Sequence, residues 1–332
     1  MTAFLLIISL VIILTGCEGF TNGIEWFGKK HGLGEGAVGS IFAAVGTALP
    51  ETLVPLVAIV FSGDGTHEDI GIGAILGAPF MLSTLAMFVT GTALVVFHFS
   101  RGRELNPQVN HHIVGRDLLF FVIMYMAAVI TGIIPVKPLH YVLAPVLWIG
   151  YLIYVFITLR TEGDLDAETR ALYFHRSHLP DLPHPPRILL QIAVSLAAIV
   201  LGARLFVSAV DSFAEFLGLP ALVISLLITP VATELPEKFN SVLWIRGRKD
   251  TLALGNITGA MVFQSAFPVT VGLLLTEWHL TTVAVVSAVL ALGSGLLLTL
   301  WIRIKHTIAW WMLLLGGAWY AVFVAYAIRS SL

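Results

Sequence analysis

The sequence predicts an all-α polytopic membrane protein of about ten transmembrane helices, arranged as two inverted five-helix repeats with broken helices at the midplane. Three observations predict it. Hydrophobic residues fill 58% of 332 positions and charged residues only 11%, whereas a soluble domain carries roughly 25% charged residues; the mean hydropathy is +0.93. The apolar stretches reach the roughly 20 residues that a helix needs to cross a bilayer core. One short run, Thr-x-Leu-Pro-Glu, occurs twice, at Thr47–Glu51 and Thr233–Glu237.

In chain order, the spans fall near 3–20, 36–62, 69–99, 116–134 and 139–160, then 187–209, 218–246, 251–276, 281–302 and 307–328. The second carries Pro50 and Pro55, and the seventh Pro230 and Pro236. The third and eighth open on glycine-spaced segments, Gly71, Gly73, Gly77 and Gly255, Gly259. The tenth is rich in aromatic residues, with Trp310, Trp311, Trp319 and Tyr320 suited to interfacial anchoring. Residues 161–186 form the one long polar stretch, so the chain divides into a first repeat (1–160), a cytoplasmic linker (161–186) and a second repeat (187–332).

Basic residues sort the loops. With the N-terminus outside, the inward side holds 14 of them, from Lys29 and Lys30 through Arg101, Arg103 and Arg116 to Arg303 and Lys305; the outward side holds Lys137 and Arg329. That bias is the positive-inside pattern. It predicts an inner-membrane protein with both termini outside. Five spans per half is an odd number, so the halves enter the membrane in opposite directions. Their similarity supports this: Thr47–Glu51 matches Thr233–Glu237, and Gly73–Ala78 matches Gly255–Ala260 at an offset of 182. Inverted repeats place a substrate site near the midplane where the halves meet.

A proline inside a membrane helix removes a backbone donor and interrupts the helix, which membranes tolerate only where the freed carbonyls are buried in protein or line a cavity. Thr47 and Glu51 are one turn apart, as are Thr233 and Glu237. Two carboxylates, two hydroxyls and nearby carbonyls make the all-oxygen set that Ca²⁺ prefers. Asn256 and Gln264 are amides in an apolar helix that could face the same point. Cys and His are absent from the motif, which argues against zinc or copper. A single cysteine, Cys17, excludes an internal disulfide framework, and a net charge of −2 gives no reason to expect nucleic-acid binding. The partners expected are inorganic cations and the lipid bilayer, with no cofactor.

At these residues the chain resembles the Na⁺/Ca²⁺ exchanger family, within the wider cation/Ca²⁺ antiporters. That family carries two inverted Gly-Thr-Ser-Leu-Pro-Glu runs, each followed by Gly-Asn-x-x-Gly-Ser-Asn-x-x-(Asn/Asp). Gly46–Glu51 matches the first run at all but one position; Ala232–Glu237 with Leu254–Gly259 matches the second. The resemblance implies that Glu51 and Glu237 are the central Ca²⁺ ligands, flanked by Thr47 and Thr233. It also implies sodium sites built on the motif serines and the downstream Asn or Asp. Here the chain departs: Ala48, Glu234, Ala78 and Ala260 replace serines, and Leu82 and Gln264 stand at the Asn/Asp positions. Glu234 could act as an extra cation ligand or proton carrier, with a local Glu234–Lys238 pair as the favoured alternative. The expected function is secondary active antiport of Ca²⁺ against Na⁺ by alternating access. H⁺ coupling is the alternative, followed by a passive cation channel. An intramembrane enzyme finds no second motif to supply catalytic companions.

Overall fold

The computed structural model of the chain describes residues 2–30, 49–60, 65–134, 136–161, 172–173 and 185–331. Their regular structure is helical: α1 (Thr2–Lys30), α2 (Leu49–Val60), α3 (Gly65–Met81), a π turn (Leu82–Ala86), α4 (Met87–Arg101), α5 (His111–Ile133), α6 (Lys137–Thr161), α7 (Pro185–Leu217), α8 (Ala221–Arg246), α9 (Asp250–Leu275), α10 (Thr282–Lys305) and α11 (Trp310–Ser331). Among the described residues, eight segments are long and apolar enough to cross a membrane, with α3, the π turn and α4 forming one continuous rod over Glu68–Arg101. Two shorter apolar helices, Glu51–Val60 and Ala221–Glu234, complete the ten expected segments. The chain is a multi-pass integral membrane protein.

Local chemistry sets the ends. Asn110 caps α5 by accepting from the His112 N–H (3.1 Å), and Thr281 caps α10 through the Ala284 N–H (3.4 Å). Gly102 ends α4 at φ 62°, the left-handed conformation that costs glycine least. The π turn is held from outside: the Ser294 hydroxyl donates to the Ser83 carbonyl (2.7 Å), and Gly316 of α11 packs directly on the Thr84 carbonyl.

The helices pair reciprocally, as inverted repeats require. The third span packs on the seventh (α3 on α8) and the eighth on the second (α9 on α2), while α1 and α7, the first and sixth, lie against each other. Gly73 and Gly77 bring α3 onto the α8 backbone. A methyl on Gly73 would stand 2.7 Å from the Leu222 carbonyl oxygen; one on Gly77 would collide with the Leu226 carbonyl and lie 2.6 Å from the Pro230 ring. The interruption expected in α8 therefore takes a milder form. Its backbone stays helical from Ala221 to Arg246; Pro230 deletes the hydrogen bond to Leu226 O, and close contact with glycine covers the freed carbonyl. Gly77→Ala is expected to cost about 1–3 kcal/mol by forcing α3 off α8, read as a lower melting temperature in detergent together with reduced transport.

The contacts also sort the connections onto two ends. At one, Arg103 pairs with Asp250 (2.6 Å), Asn106 accepts from the Trp310 N–H (3.3 Å), His111 meets His306, and Tyr173 of the linker donates to Glu18 (2.7 Å). At the other, Lys137 pairs with Glu277 (2.5 Å), whose N–H donates to Glu68 (3.2 Å). Trp278 is inserted below this second end, fully buried at φ 44°, its indole N–H donating to Ala128 O (3.1 Å). These are the two loop groups that the basic-residue count separates.

Candidate cation site

Three helices that pack on one another, α2, α8 and α9, carry the candidate residues. Glu51 lies in the first turn of α2 and is 5% exposed. On α8, Thr233 and Glu234 are 1% and 2% exposed. Glu237 follows one turn later on the same helix; its side chain, like those of 235–240, lies outside the described residues, and so does Thr47. On α9, Gln264 is 2% exposed, and its Oε1 has no hydrogen-bond partner among the described residues. Asn256 is half-buried and lies eight residues earlier, about 12 Å along the axis at 1.5 Å per residue. Glu51, Thr233, Glu234 and Gln264 are thus each buried on one of three mutually packed helices, while Asn256 is less buried and about two turns from Gln264 on α9.

The chemistry of this region follows from what is buried there. Carboxylates in an apolar bundle cost roughly 2.5–3.5 kcal/mol each on insertion scales, and a bound cation offsets that cost. The Thr233 hydroxyl donates back to Thr229 O (3.0 Å), which spends its proton and leaves oxygen lone pairs to accept or ligate. Gln264 offers a second neutral oxygen with no donor to satisfy it. Among the described residues no three His, Cys, Asp or Glu side chains are grouped to hold a metal. Hydroxyl, amide and carboxylate oxygens are the donor set that suits a hard cation.

The sequence reading missed the hydroxyl ladder above Thr233. Ser225, Thr229 and Thr233 recur every four residues on α8, all buried; Ser225 donates to Ile70 O (2.6 Å) and lies 3.2 Å from Thr229. Counting back by fours from Thr233 finds them, so the signal was present.

A sequence profile described as sodium/calcium exchanger protein matches residues 1–160 and 187–329. The chain belongs to the sodium/calcium exchanger family. Members of that family are secondary transporters rather than enzymes. Among curated relatives of this exchanger-family chain is inner membrane protein YrbG of Escherichia coli, 21% identical over 290 residues, which cover 84% of this chain and 82% of YrbG. Among solved structures, the H⁺/Ca²⁺ exchanger CAX superposes with a TM-score of 0.72 at 14% identity, over 98% of this chain and 81% of CAX. The sodium-calcium exchanger NCX_Mj gives a TM-score of 0.58 at 21% identity, over 98% of this chain and 97% of its own. At those identities the likeness is one of fold.

Proposed function

We propose that this cation/Ca²⁺ antiporter moves Ca²⁺ against Na⁺ across the inner membrane, with both termini outside. Glu51 and Glu237 ligate Ca²⁺ at the midplane, Thr47 and Thr233 flank them, and Gln264 adds a neutral oxygen. The observation that supports this reading is that α2, α8 and α9 pack on one another and each carries a buried polar candidate, Glu51, Thr233 and Gln264 respectively.

Charge arithmetic gives the antiport logic. An empty site would carry two uncompensated carboxylates through the low-dielectric state, at roughly 2.5–3.5 kcal/mol each. One Ca²⁺ or two monovalent cations remove that penalty, so only loaded forms cross and the two fluxes are coupled. The moving part is the α1–α7 pair. Polar bonds join its two members, from Gln191 Nε2 to Gly19 O (2.8 Å) and Asn22 Oδ1 (2.9 Å). Its packing on α2 uses a separate apolar cluster of Ile13, Cys17, Ile199 and Phe206 with Val54 and Val57. An apolar seam of this kind suits a sliding contact.

H⁺ coupling is the second reading, favoured by Ala48, Ala78, Ala260 and Leu82, which offer no side-chain oxygen for sodium, and by Glu234, buried at 2% exposure. Radiolabelled Ca²⁺ uptake into proteoliposomes under an imposed Na⁺ or H⁺ gradient decides between them. Uptake driven by Na⁺ alone supports the main reading, and uptake driven by H⁺ alone replaces it. Flux that ignores both gradients makes the protein a channel.

A further inference from the structure

We infer that Asp117 is a positioning residue for the α9 side of the cation site, acting through Thr258; the inference rests on the antiporter reading above. Asp117 is 1% exposed, inside the bundle on α5. Three donor contacts from two helices hold its carboxylate. Arg116 Nε and Nη2 reach Oδ1 at 3.1 and 2.9 Å, and Thr258 Oγ1 of α9 donates to Oδ2 at 2.8 Å. The Arg116 guanidinium lies over the Tyr154 ring, 5.3 Å from its centroid. This cluster forms a closed brace around one carboxylate.

The brace lies behind the site rather than in it. At about 100° per residue, Thr258 points about 160° away from Ala260 and about 120° away from Gln264 around α9. A bond from Asp117 to Thr258 therefore fixes the rotation and depth of α9 from its rear face, and with them the direction of Gln264. The glycine pattern on this helix has a matching cause. A methyl on Gly259 would lie 3.3 Å from the Tyr154 hydroxyl oxygen, so the small residue leaves that hydroxyl its room. The first repeat lacks the device: Leu76 stands at the position of Thr258, fully buried, and only its carbonyl is bonded, by Tyr125 (3.3 Å).

The test is Ca²⁺ uptake by the reconstituted full chain, with KM and maximal rate measured separately. Thr258→Val keeps size and removes the donor; it is expected to raise KM for Ca²⁺ about tenfold with little change in maximal rate, as losing the partner of a metal-site group does. Thr258→Ser restores the donor and returns KM toward wild type. Asp117→Asn is expected to shift KM in the same direction, and combined with Thr258→Val to add less than the product of the two. A wild-type KM in Thr258→Val, or equal shifts in Val and Ser, overturns the inference even if Asp117→Asn fails to fold. Wild-type protein that transports no Ca²⁺ overturns the antiporter reading, and this inference with it.

Discussion

Glu51→Gln is expected to reduce gradient-driven Ca²⁺ uptake on the order of 100-fold, equivalent to about 2.7 kcal/mol of lost ion binding. The substitution keeps the shape of the side chain and removes its charge. Glu51 is 5% exposed on a helix packed against α8 and α9, so no solvent stands ready to replace the lost ligand. The fold should tolerate the change, because the amide keeps the side chain's size and an acceptor oxygen. The diagnostic pair of results is an unchanged or higher melting temperature and the loss of the Ca²⁺-dependent rise in it, since a ligand at 100 times its Kd adds about 2.7 kcal/mol. Glu237→Gln should behave alike. A mutant that keeps its Ca²⁺-dependent melting shift would remove Glu51 from the site.

Asp250→Ala is expected to destabilise the protein by about 3–5 kcal/mol, the cost of breaking a buried pair from one side. Asp250 is 2% exposed and Arg103 5%. Asp250 Oδ2 accepts from Arg103 Nη2 (2.6 Å) and from the Gln108 N–H (2.8 Å), while Arg103 also donates to Ile245 O and to Glu104 O (3.2 Å). The carboxylate is the first residue of α9, where the helix dipole favours a negative charge. Removing it leaves a guanidinium buried among carbonyls. Unfolding in detergent should show the loss, and Arg103→Leu in the Asp250→Ala background should recover much of it. Lys137→Ala is the contrast: Lys137 and Glu277 are 54% and 69% exposed, and such a pair contributes at most about 1 kcal/mol.

The segments and the burial of Glu51 were legible because hydropathy and a repeated costly motif are local signals. Thr233 and Gln264 followed from their place in a pattern. Asp117 was not legible: beside Arg116 it reads as a charged span end, yet α5 begins at His111 and carries both residues inside the bundle. The Arg103–Asp250 clamp joins residues 147 apart, a distance that no window spans. The π turn at Leu82–Ala86 likewise depends on partners on other helices, Ser294 and Gly316. The interruption expected in α8 was real in its hydrogen bonding but not in its backbone, because glycine packing let the helix continue past Pro230.

That π turn sits in the first repeat, while α9, its counterpart in the second, runs without one. Two identical halves would exchange roles as the protein turns inside out, and its two facing states would have equal energy. With one half wound differently, the two states differ in energy, and each 1.4 kcal/mol of difference is a tenfold bias in their populations. The resting carrier then waits open to one side of the membrane. A ligand arriving from the other side meets the competent state less often, and its apparent affinity is weakened by that fraction. On the proposed antiporter reading, the two sides of the membrane then present different thresholds for the transported cation.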